Sequence, residues 1–291
     1  MIIGVHHVGL CVANDQAPAW LSHICDQTTD QWMTAPNVYV RVETKPGSDN
    51  FDKRTPNIAG IAHICLQSRD IELGLAKGKT SGLCPVSAPV DLGTDFRYLY
   101  AHTPDGILLE LEGAPFVRDE EPRFWIGHVA FVARDLASLT AFYGKILGLK
   151  PTPLSRLRGN KRIDTVAGLD DVDLSAGWVP GLNLGLEFWQ YHNPPSPKGN
   201  AQGIFGFTHV CFETDDFRVD HAHFIAQGAQ PLEAQDLGLT DAKCASFRDP
   251  EGNRLHLICF DQGNDSLSIR KLPQIDILAR ISAQLPKRIA D

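Results

Sequence analysis

Four histidines begin short apolar runs, and imidazole can bind a metal or move a proton near neutral pH. The runs are His7-Val8-Gly9-Leu10, His63-Ile64-Cys65-Leu66, His128-Val129-Ala130-Phe131 and His209-Val210-Cys211-Phe212. Their β-branched and aromatic residues predict strands. A histidine in a strand is more often a hydrogen-bonded structural residue than a metal ligand. Its recurrence at one position of four similar runs nevertheless favours a shared chemical role.

A second polar position recurs near the end of each repeat. It is occupied by Glu43, Glu110, Glu187 and His256. Successive side chains of a strand point to opposite faces, so a polar residue between two apolar ones faces away from the apolar layer. A charged group is rarely buried without a partner or a metal. If two repeats pair, two histidines and two of these groups meet, a set that suits Zn²⁺, Fe²⁺, Mn²⁺, Ni²⁺ or Co²⁺.

The elements that must position these groups are repeated as well. The distance from His63 to Glu110 equals that from His209 to His256, at 47 residues, and a Pro-x-Gly turn precedes the last strand in both. Acidic turns after the leading runs are predicted to cap helices, and they are Asn14-Asp15, Ser68-Arg69-Asp70, Arg134-Asp135 and Asp215-Asp216. The unit is therefore a strand, a helix and further strands, and it occurs four times.

The length of 291 residues favours two domains, and the polar, proline-containing stretch 113–123 marks the boundary between them. We predict an N-terminal domain over 1–116 from modules 1 and 2, and a C-terminal domain over 124–262 from modules 3 and 4. Module 1 is short, so its part of the fold is expected to be open or inert. Apolar residues at helical spacing predict a helical tail over 263–291, which packs on the body or on a second subunit as a homodimer.

Composition excludes several classes of protein. A net charge of −8, from 27 basic and 35 acidic residues, argues against a nucleic-acid-binding face. No run approaches the ~20 apolar residues of a membrane span, and the N-terminus lacks the pattern of a signal peptide. The seven cysteines include no CxxC pair. We therefore expect a cytoplasmic protein with a small-molecule partner and no nucleic acid or membrane partner.

The sequence resembles the vicinal-oxygen-chelate superfamily, which includes glyoxalase I, extradiol dioxygenases, epimerases and resistance proteins. The resemblance extends from Val5 to about Phe260 and rests on four segments, which are His128–Phe131, Ala141–Leu149, Leu186–Tyr191 and Asp249–Asn253. It implies an α+β fold of four βαβββ modules paired into two cup-shaped mixed-sheet domains. Each cup of this family surrounds a divalent metal ion.

The resemblance also implies two sets of metal ligands. The C-terminal set is His128, Glu187, His209 and His256, and the N-terminal set is His7, Glu43, His63 and Glu110. The C-terminal set departs from the family because His256 replaces the usual glutamate of the last strand.

The reaction remains open between three hypotheses. The first is isomerase, epimerase or lyase chemistry through an enolate stabilised by the metal as a Lewis acid, with Glu187 as the base. The second is an Fe²⁺ extradiol dioxygenase, because the segment from Tyr100 to Glu110 resembles part of a motif of those enzymes; in the C-terminal half Ser246 and His256 depart from that motif. The third is a resistance-type protein that binds a small molecule without catalysis.

Substrate-binding residues are predicted on a basic loop and at one aromatic residue. The loop 156–162 carries Arg156, Arg158 and Arg162, which would attract an anionic substrate to the cup. A solvated hairpin is the alternative. Trp189 is predicted to line the pocket, with packing in the core as the alternative.

Overall fold

The computed structural model describes most of the chain in the following ranges, and all statements below refer to these residues. They are 1–13, 19–23, 25–27, 29, 31–45, 53–197, 205–233, 237, 239, 241–261 and 266–286. The predicted cap at Asp15 lies outside them.

One sheet of eight strands joins module 1 to module 4. Its strands in chain order are β1 (Ile2–Val12), β2 (Asp26–Gln27), β3 (Trp32–Thr34), β4 (Tyr39–Thr44), β14 (Gly206–Thr214), β15 (Gln230–Leu232), β16 (Ala242–Arg248) and β17 (Arg254–Phe260). The order across this sheet is β15-β16-β17-β14-β1-β4-β3-β2. We call it sheet 1.

The other sheet, of nine strands, joins module 2 to module 3. Its strands are β5 (Gly60–Ser68), β6 (Cys84–Pro85), β7 (Val90–Asp91), β8 (Arg97–His102), β9 (Leu108–Gly113), β10 (Phe124–Val132), β11 (Ser155–Arg158), β12 (Asp173–Val179) and β13 (Gly185–Asn193). The order is β11-β12-β13-β10-β5-β9-β8-β6, and β7 pairs with β8. We call it sheet 2.

The α+β fold with mixed sheets is confirmed, but the predicted pairing of modules is wrong. β1 is antiparallel to β14, and β5 is antiparallel to β10. Module 1 therefore pairs with module 4, and module 2 with module 3, so neither predicted half contains a complete sheet. The leading strands are similarly apolar and buried, so strand composition alone does not determine which of them become neighbours.

Five helices accompany the sheets. They are α1 (Ile71–Thr80), α2 (Leu136–Leu147), α3 (Lys161–Ala167), α4 (Phe217–Ala226) and α5 (Ile277–Gln284). Two 3-10 turns lie at Leu21–His23 and Ile269–Lys271. The predicted caps at Asp70, Asp135 and Asp216 are confirmed, because each carboxylate accepts a hydrogen bond from the backbone N–H three residues later.

Two buried asparagines tie sheet 1 to sheet 2. The Asn183 side chain accepts a hydrogen bond from the Val5 backbone N–H at 2.7 Å and donates to the Val5 carbonyl at 2.8 Å. The Asn37 side chain donates to the carbonyl of Ile126 at 2.8 Å. Because backbone groups near the sheet junction need partners once buried, these amides fix how the sheets meet.

Helix α5 packs on the body of the protein, as one of the two alternatives predicted. Ile277 and Ile281 are buried in a cluster with Ala114, Val117 and Trp125. In the described part of the chain, no helix has the length and apolar character that crossing a membrane requires.

Candidate metal centre

Four candidate ligands converge on one face of sheet 2. His63 lies on β5 and His128 on β10, the two strands that join module 2 to module 3. Glu110 lies opposite Cys65, and Glu187 opposite Ala130. Cys65 and Ala130 each follow a histidine by two residues, so each shares a face of the sheet with that histidine. The carboxylate opposite each of them therefore lies on the same face as the histidine. We call these residues the four-residue cluster.

The cluster is buried and compact. Its side chains are at most 9% exposed, and one ligand atom from each lies within 4.8 Å of the others. Glu110 Oε2 is 2.9 Å from His128 Nε2 and 3.2 Å from His63 Nε2. Glu187 Oε2 is 3.2 Å from His128 Nε2.

Burial and pairing compete in setting the charges of the cluster. Burial alone would favour the neutral carboxyl of Glu110, but the hydrogen bonds and charges of His128 and His63 lower its pKa to about 2. Burial alone would also favour neutral His128. The Glu187 charge and the hydrogen bonds that His128 donates to Glu110 and Glu187 outweigh it and raise the pKa of His128 well above its usual value. His128 is therefore protonated at neutral pH while no metal is bound.

Unsatisfied atoms in the cluster fit a divalent cation. Glu187 Oε2 is buried without a hydrogen bond of good geometry, and His63 Nδ1 has no hydrogen-bond partner. Two imidazoles and two carboxylates are a donor set that suits Zn²⁺ and the other transition metals named above. A bound cation would take the place of the proton on His128. The residues present therefore fit a metal ion.

Glu112 is a further buried residue of the site that the sequence reasoning missed. It receives hydrogen bonds from Cys65 Sγ at 3.3 Å and from Gln67 Nε2. Burial and the charge of Glu110 raise the pKa of Glu112 to about 7. The alternation Glu110-Leu111-Glu112 was the available signal, because residues two apart share a face of a strand.

A cavity of about 240 Å³ adjoins the cluster. Its lining includes His128, Glu110 and Glu187. Trp189 also lines it, and the indole Nε1 is buried with no hydrogen-bond partner.

The three arginines of the basic segment are not among the residues that line this cavity. Ser155 and Leu157 of β11 line it, whereas Arg156 alternates to the other side of the strand. The Arg156 guanidinium instead binds the Asp173 carboxylate with N···O distances of 2.8 and 2.7 Å. Arg158, the last residue of β11, lies on the same face of the strand as Arg156. The Arg162 side chain donates a hydrogen bond to the Asp91 carbonyl at 3.1 Å. The predicted loop is in fact strand β11 followed by helix α3.

The remaining predicted ligands form a different group in sheet 1. His7, His209 and His256 are at most 1% exposed. His7 and His209 approach through their Nε2 atoms at 2.9 Å, and the ring centres of His209 and His256 are 4.4 Å apart. We call them the three-histidine cluster. The predicted sets, each drawn from one half of the chain, are therefore corrected, because each sheet takes ligands from both halves.

Glu43 does not occupy the fourth position of this cluster. The residue opposite Gly9, two positions beyond His7, is Arg41. Arg41 is buried and forms an ion pair with Glu43. The sequence alignment of Glu43 was therefore two residues away from the position that strand register selects. A guanidinium stands where the other three repeats have Glu110, Glu187 or His256.

Hydrogen bonds determine the tautomers of a histidine chain in sheet 1. Burial lowers the pKa of His6 to about 4 and those of His7 and His209 well below the usual value, so all three rings are neutral. His6 Nε2 donates to the Leu267 carbonyl at 2.8 Å, so its Nδ1 accepts from His7 Nδ1 at 2.6 Å. His7 Nε2 must then accept from His209 Nε2. The lone pair of His7 Nε2 is engaged in this chain.

Comparison with known proteins agrees with the predicted family. Residues 125–257 match the model of the Glyoxalase/Bleomycin resistance protein/Dioxygenase superfamily, so this part of the chain is a domain of that superfamily. The resemblance predicted from the sequence is thereby confirmed. A comparison with curated proteins found no significant match.

Solved structures share the fold over nearly the whole chain. Glyoxalase I from Zea mays is 18% identical, with a TM-score of 0.63, and the match covers 97% of this chain and 96% of that one. A putative dioxygenase from Bacillus subtilis is 10% identical, with a TM-score of 0.55, covering 100% and 98%. At these identities the similarity shows a common fold.

Proposed function

We propose that the protein is a divalent-metal-dependent enzyme that acts on a small substrate with two neighbouring oxygens. The reaction class we favour is isomerisation, epimerisation or elimination that begins with proton transfer. The observation that carries the proposal is the buried four-residue cluster, whose two imidazoles and two carboxylates converge beside a cavity. Retained ligands of this kind weigh against a resistance-type binding protein.

The residues of the cluster would have two roles, which are metal binding and proton transfer. His63, His128, Glu110 and Glu187 would hold the ion. When bound, it would act as a Lewis acid that polarises the two substrate oxygens and acidifies a neighbouring C–H bond. Glu187 is our candidate base, because it lines the cavity and its Oε2 approaches one histidine, His128, at 3.2 Å. Glu110, in contrast, accepts hydrogen bonds from two histidines.

A ring-cleaving dioxygenase is the second candidate, and one observation favours it. Tyr100, the first residue of the segment that resembles the dioxygenase motif, lies opposite Glu110 and lines the cavity. Its ring centre is 5.0 Å from that of His63. The motif therefore ends on a residue of the cluster itself. Against it, the cluster offers two carboxylates, whereas Fe²⁺ oxygenases use two histidines and one carboxylate.

The location that we propose is the cytoplasm, since all seven cysteines are free thiols. A homodimer remains a prediction.

Metal loading followed by two assays tests the proposal. The metal-free chain is loaded with Zn²⁺, Ni²⁺, Mn²⁺, Co²⁺ or, without oxygen, Fe²⁺. Each form is incubated with 2-hydroxyacetophenone in D₂O, and deuterium uptake at the carbon next to the carbonyl is followed by NMR. We expect one ion per chain and metal-dependent exchange. Glu187→Gln should abolish exchange while some metal binding persists, and Glu43→Gln in sheet 1 is the matched control.

The outcomes separate the three hypotheses. Oxygen consumption with catechol by the Fe²⁺ form alone, without exchange in any form, would establish the dioxygenase. A chain that takes up no metal and binds the ketone equally well after His128→Ala would be a binding protein.

A further inference from the structure

The cavity beside the four-residue cluster has the size of one substituted aromatic ring. Its volume is about 240 Å³. An apolar cavity of about 150 Å³ is enough for a benzene ring. A ring with one or two substituents therefore fits between the cluster and the cavity wall.

The wall of the cavity is mainly apolar and aromatic. It includes Tyr98, Tyr100, Trp178, Trp189, Tyr191 and several aliphatic residues of α3 and β12. Away from the carboxylates and His128, its polar groups are hydroxyls of threonine, serine and tyrosine and the indole N–H groups of Trp178 and Trp189, of which that of Trp189 is buried without a partner. These groups are neutral, and the buried indole N–H suits an uncharged acceptor such as a carbonyl or ether oxygen.

No described residue of the lining carries a lysine or arginine side chain. The charged groups there are Glu110, Glu112, Glu187 and His128. An adjoining cavity of about 480 Å³ shares Glu112 and His128 and extends to α5, and its described lining also contains no lysine or arginine. The one cationic group of the described lining, protonated His128, is already paired with Glu110 and Glu187, so an anionic substituent inside would meet carboxylates and lose its hydration without gaining a free cationic partner.

Two of the basic residues that lie nearest along the chain are engaged in ion pairs. Arg156 binds Asp173, and Lys161 binds Asp164 and Asp171. The side chains of Arg156 and Lys161 are more than half exposed in these ion pairs. Their charge is largely neutralised before it could act on the cavity.

We propose that this cavity selects an uncharged, mainly apolar substrate of the size of a substituted aromatic ring and rejects carboxylates and phosphates. The orientation of its two oxygens toward the cluster rests on the proposed function. The charge selection does not, because it depends only on the wall.

Two probe pairs that differ in one charged group test this inference by calorimetry. The Zn²⁺-loaded chain is titrated with 4-methylcatechol and with 3,4-dihydroxybenzoate, which both chelate through neighbouring oxygens. The metal-free chain is titrated with 4-methylphenol and 4-hydroxybenzoate, which do not chelate. In both pairs we expect the neutral probe to bind at least ~30-fold more tightly, because the carboxylate is desolvated beside like charges.

The two pairs distinguish failure of this inference from failure of the proposed function. A chain that takes up no Zn²⁺ would contradict the proposed function. The affinities of the metal-free chain for 4-methylphenol and 4-hydroxybenzoate would still measure the charge selectivity of the cavity wall. Equal or tighter binding of 4-hydroxybenzoate by the metal-free chain would overturn the inference.

A positive charge introduced into the wall should reduce the preference for the neutral probe. Ile163 is half-buried and lines the cavity, so Ile163→Lys adds a cation there. We expect it to tighten binding of 3,4-dihydroxybenzoate by ~10-fold or more while 4-methylcatechol changes little. The double variant Arg156→Ala, Arg158→Ala is the matched control and should leave both probes unchanged. A loss of carboxylate binding in that control would assign recognition to the basic strand and overturn the inference.

Discussion

Metal binding to the four-residue cluster should release a proton and strengthen with pH. Glu110 and Glu187 raise the pKa of His128 well above its usual value, so the metal-free protein holds a proton on that ring at neutral pH. His128 Nε2 points at both carboxylates, at 2.9 and 3.2 Å. A metal ion that uses this nitrogen must displace the proton.

The magnitude follows from counting protons. Below the raised pKa of His128, one proton released per ion makes the apparent affinity rise about tenfold per pH unit, and above it the affinity levels off. Between pH 6 and 8 we therefore expect a rise of up to ~100-fold, or about 2.7 kcal/mol. Glu112, with its pKa near 7, adds a fraction of a proton at pH 7 if the cation drives its ionisation.

Calorimetry measures the proton directly. Ni²⁺ is titrated into the metal-free chain at pH 7 in three buffers of different ionisation enthalpy, and the slope of the observed enthalpy gives the number of protons released. We expect about 1 to 1.5 for the natural chain and about 1 for Glu112→Gln. Glu213→Gln, which changes a buried glutamate of sheet 1, should leave the number unchanged.

One result would refute the reasoning. Tight binding with fewer than about 0.3 protons released, and no dependence on pH between 6 and 8, would mean that His128 is already neutral or is not a ligand.

Three further predictions concern the two sheets. The chain should bind one ion, because the three-histidine cluster has Arg41 at its fourth position and an engaged His7 nitrogen; metal analysis should find one ion per chain after His209→Ala and none after His128→Ala. Asn183→Leu should lower the free energy of unfolding by ~2–4 kcal/mol in a denaturant titration, because the N–H and C=O of Val5 lose their partners; no measurable loss would mean that the sheets are joined otherwise. Tyr143→Phe should lower the free energy of unfolding by ~1.5–3 kcal/mol in the same measurement, because the buried Asp249 carboxylate loses one donor and keeps that of the Asn253 amide; a larger loss would assign more to this hydroxyl than one hydrogen bond.

The sequence predicted local structure correctly where interactions between residues close together in the chain determine it. The caps at Asp70, Asp135 and Asp216 were predicted because a carboxylate can satisfy the free N–H groups of the first helical turn. Strand β4 was found through its alternating residues, but the fourth ligand position was assigned to Glu43 instead of Arg41. Flanking residues give the face of a strand, whereas the register with its neighbour decides which side chain lies beside a histidine.

The sequence by itself predicted the resemblance to a family, the four repeats and the residue types that can hold a metal. Only the tertiary structure decided which of them meet. Four similar apolar strands can pair in several ways with nearly the same local energy, and the choice depends on contacts far apart in the chain, such as those of Asn37 and Asn183 across the sheet junction. That choice brings His63 and Glu110 next to His128 and Glu187 in sheet 2. In sheet 1 it places His7 next to His209, with Arg41 at the fourth ligand position. The alternation of side chains along β11 turns Arg156 away from the cavity, so the described wall contains no lysine or arginine side chain. The number of basic residues in the segment could not reveal this.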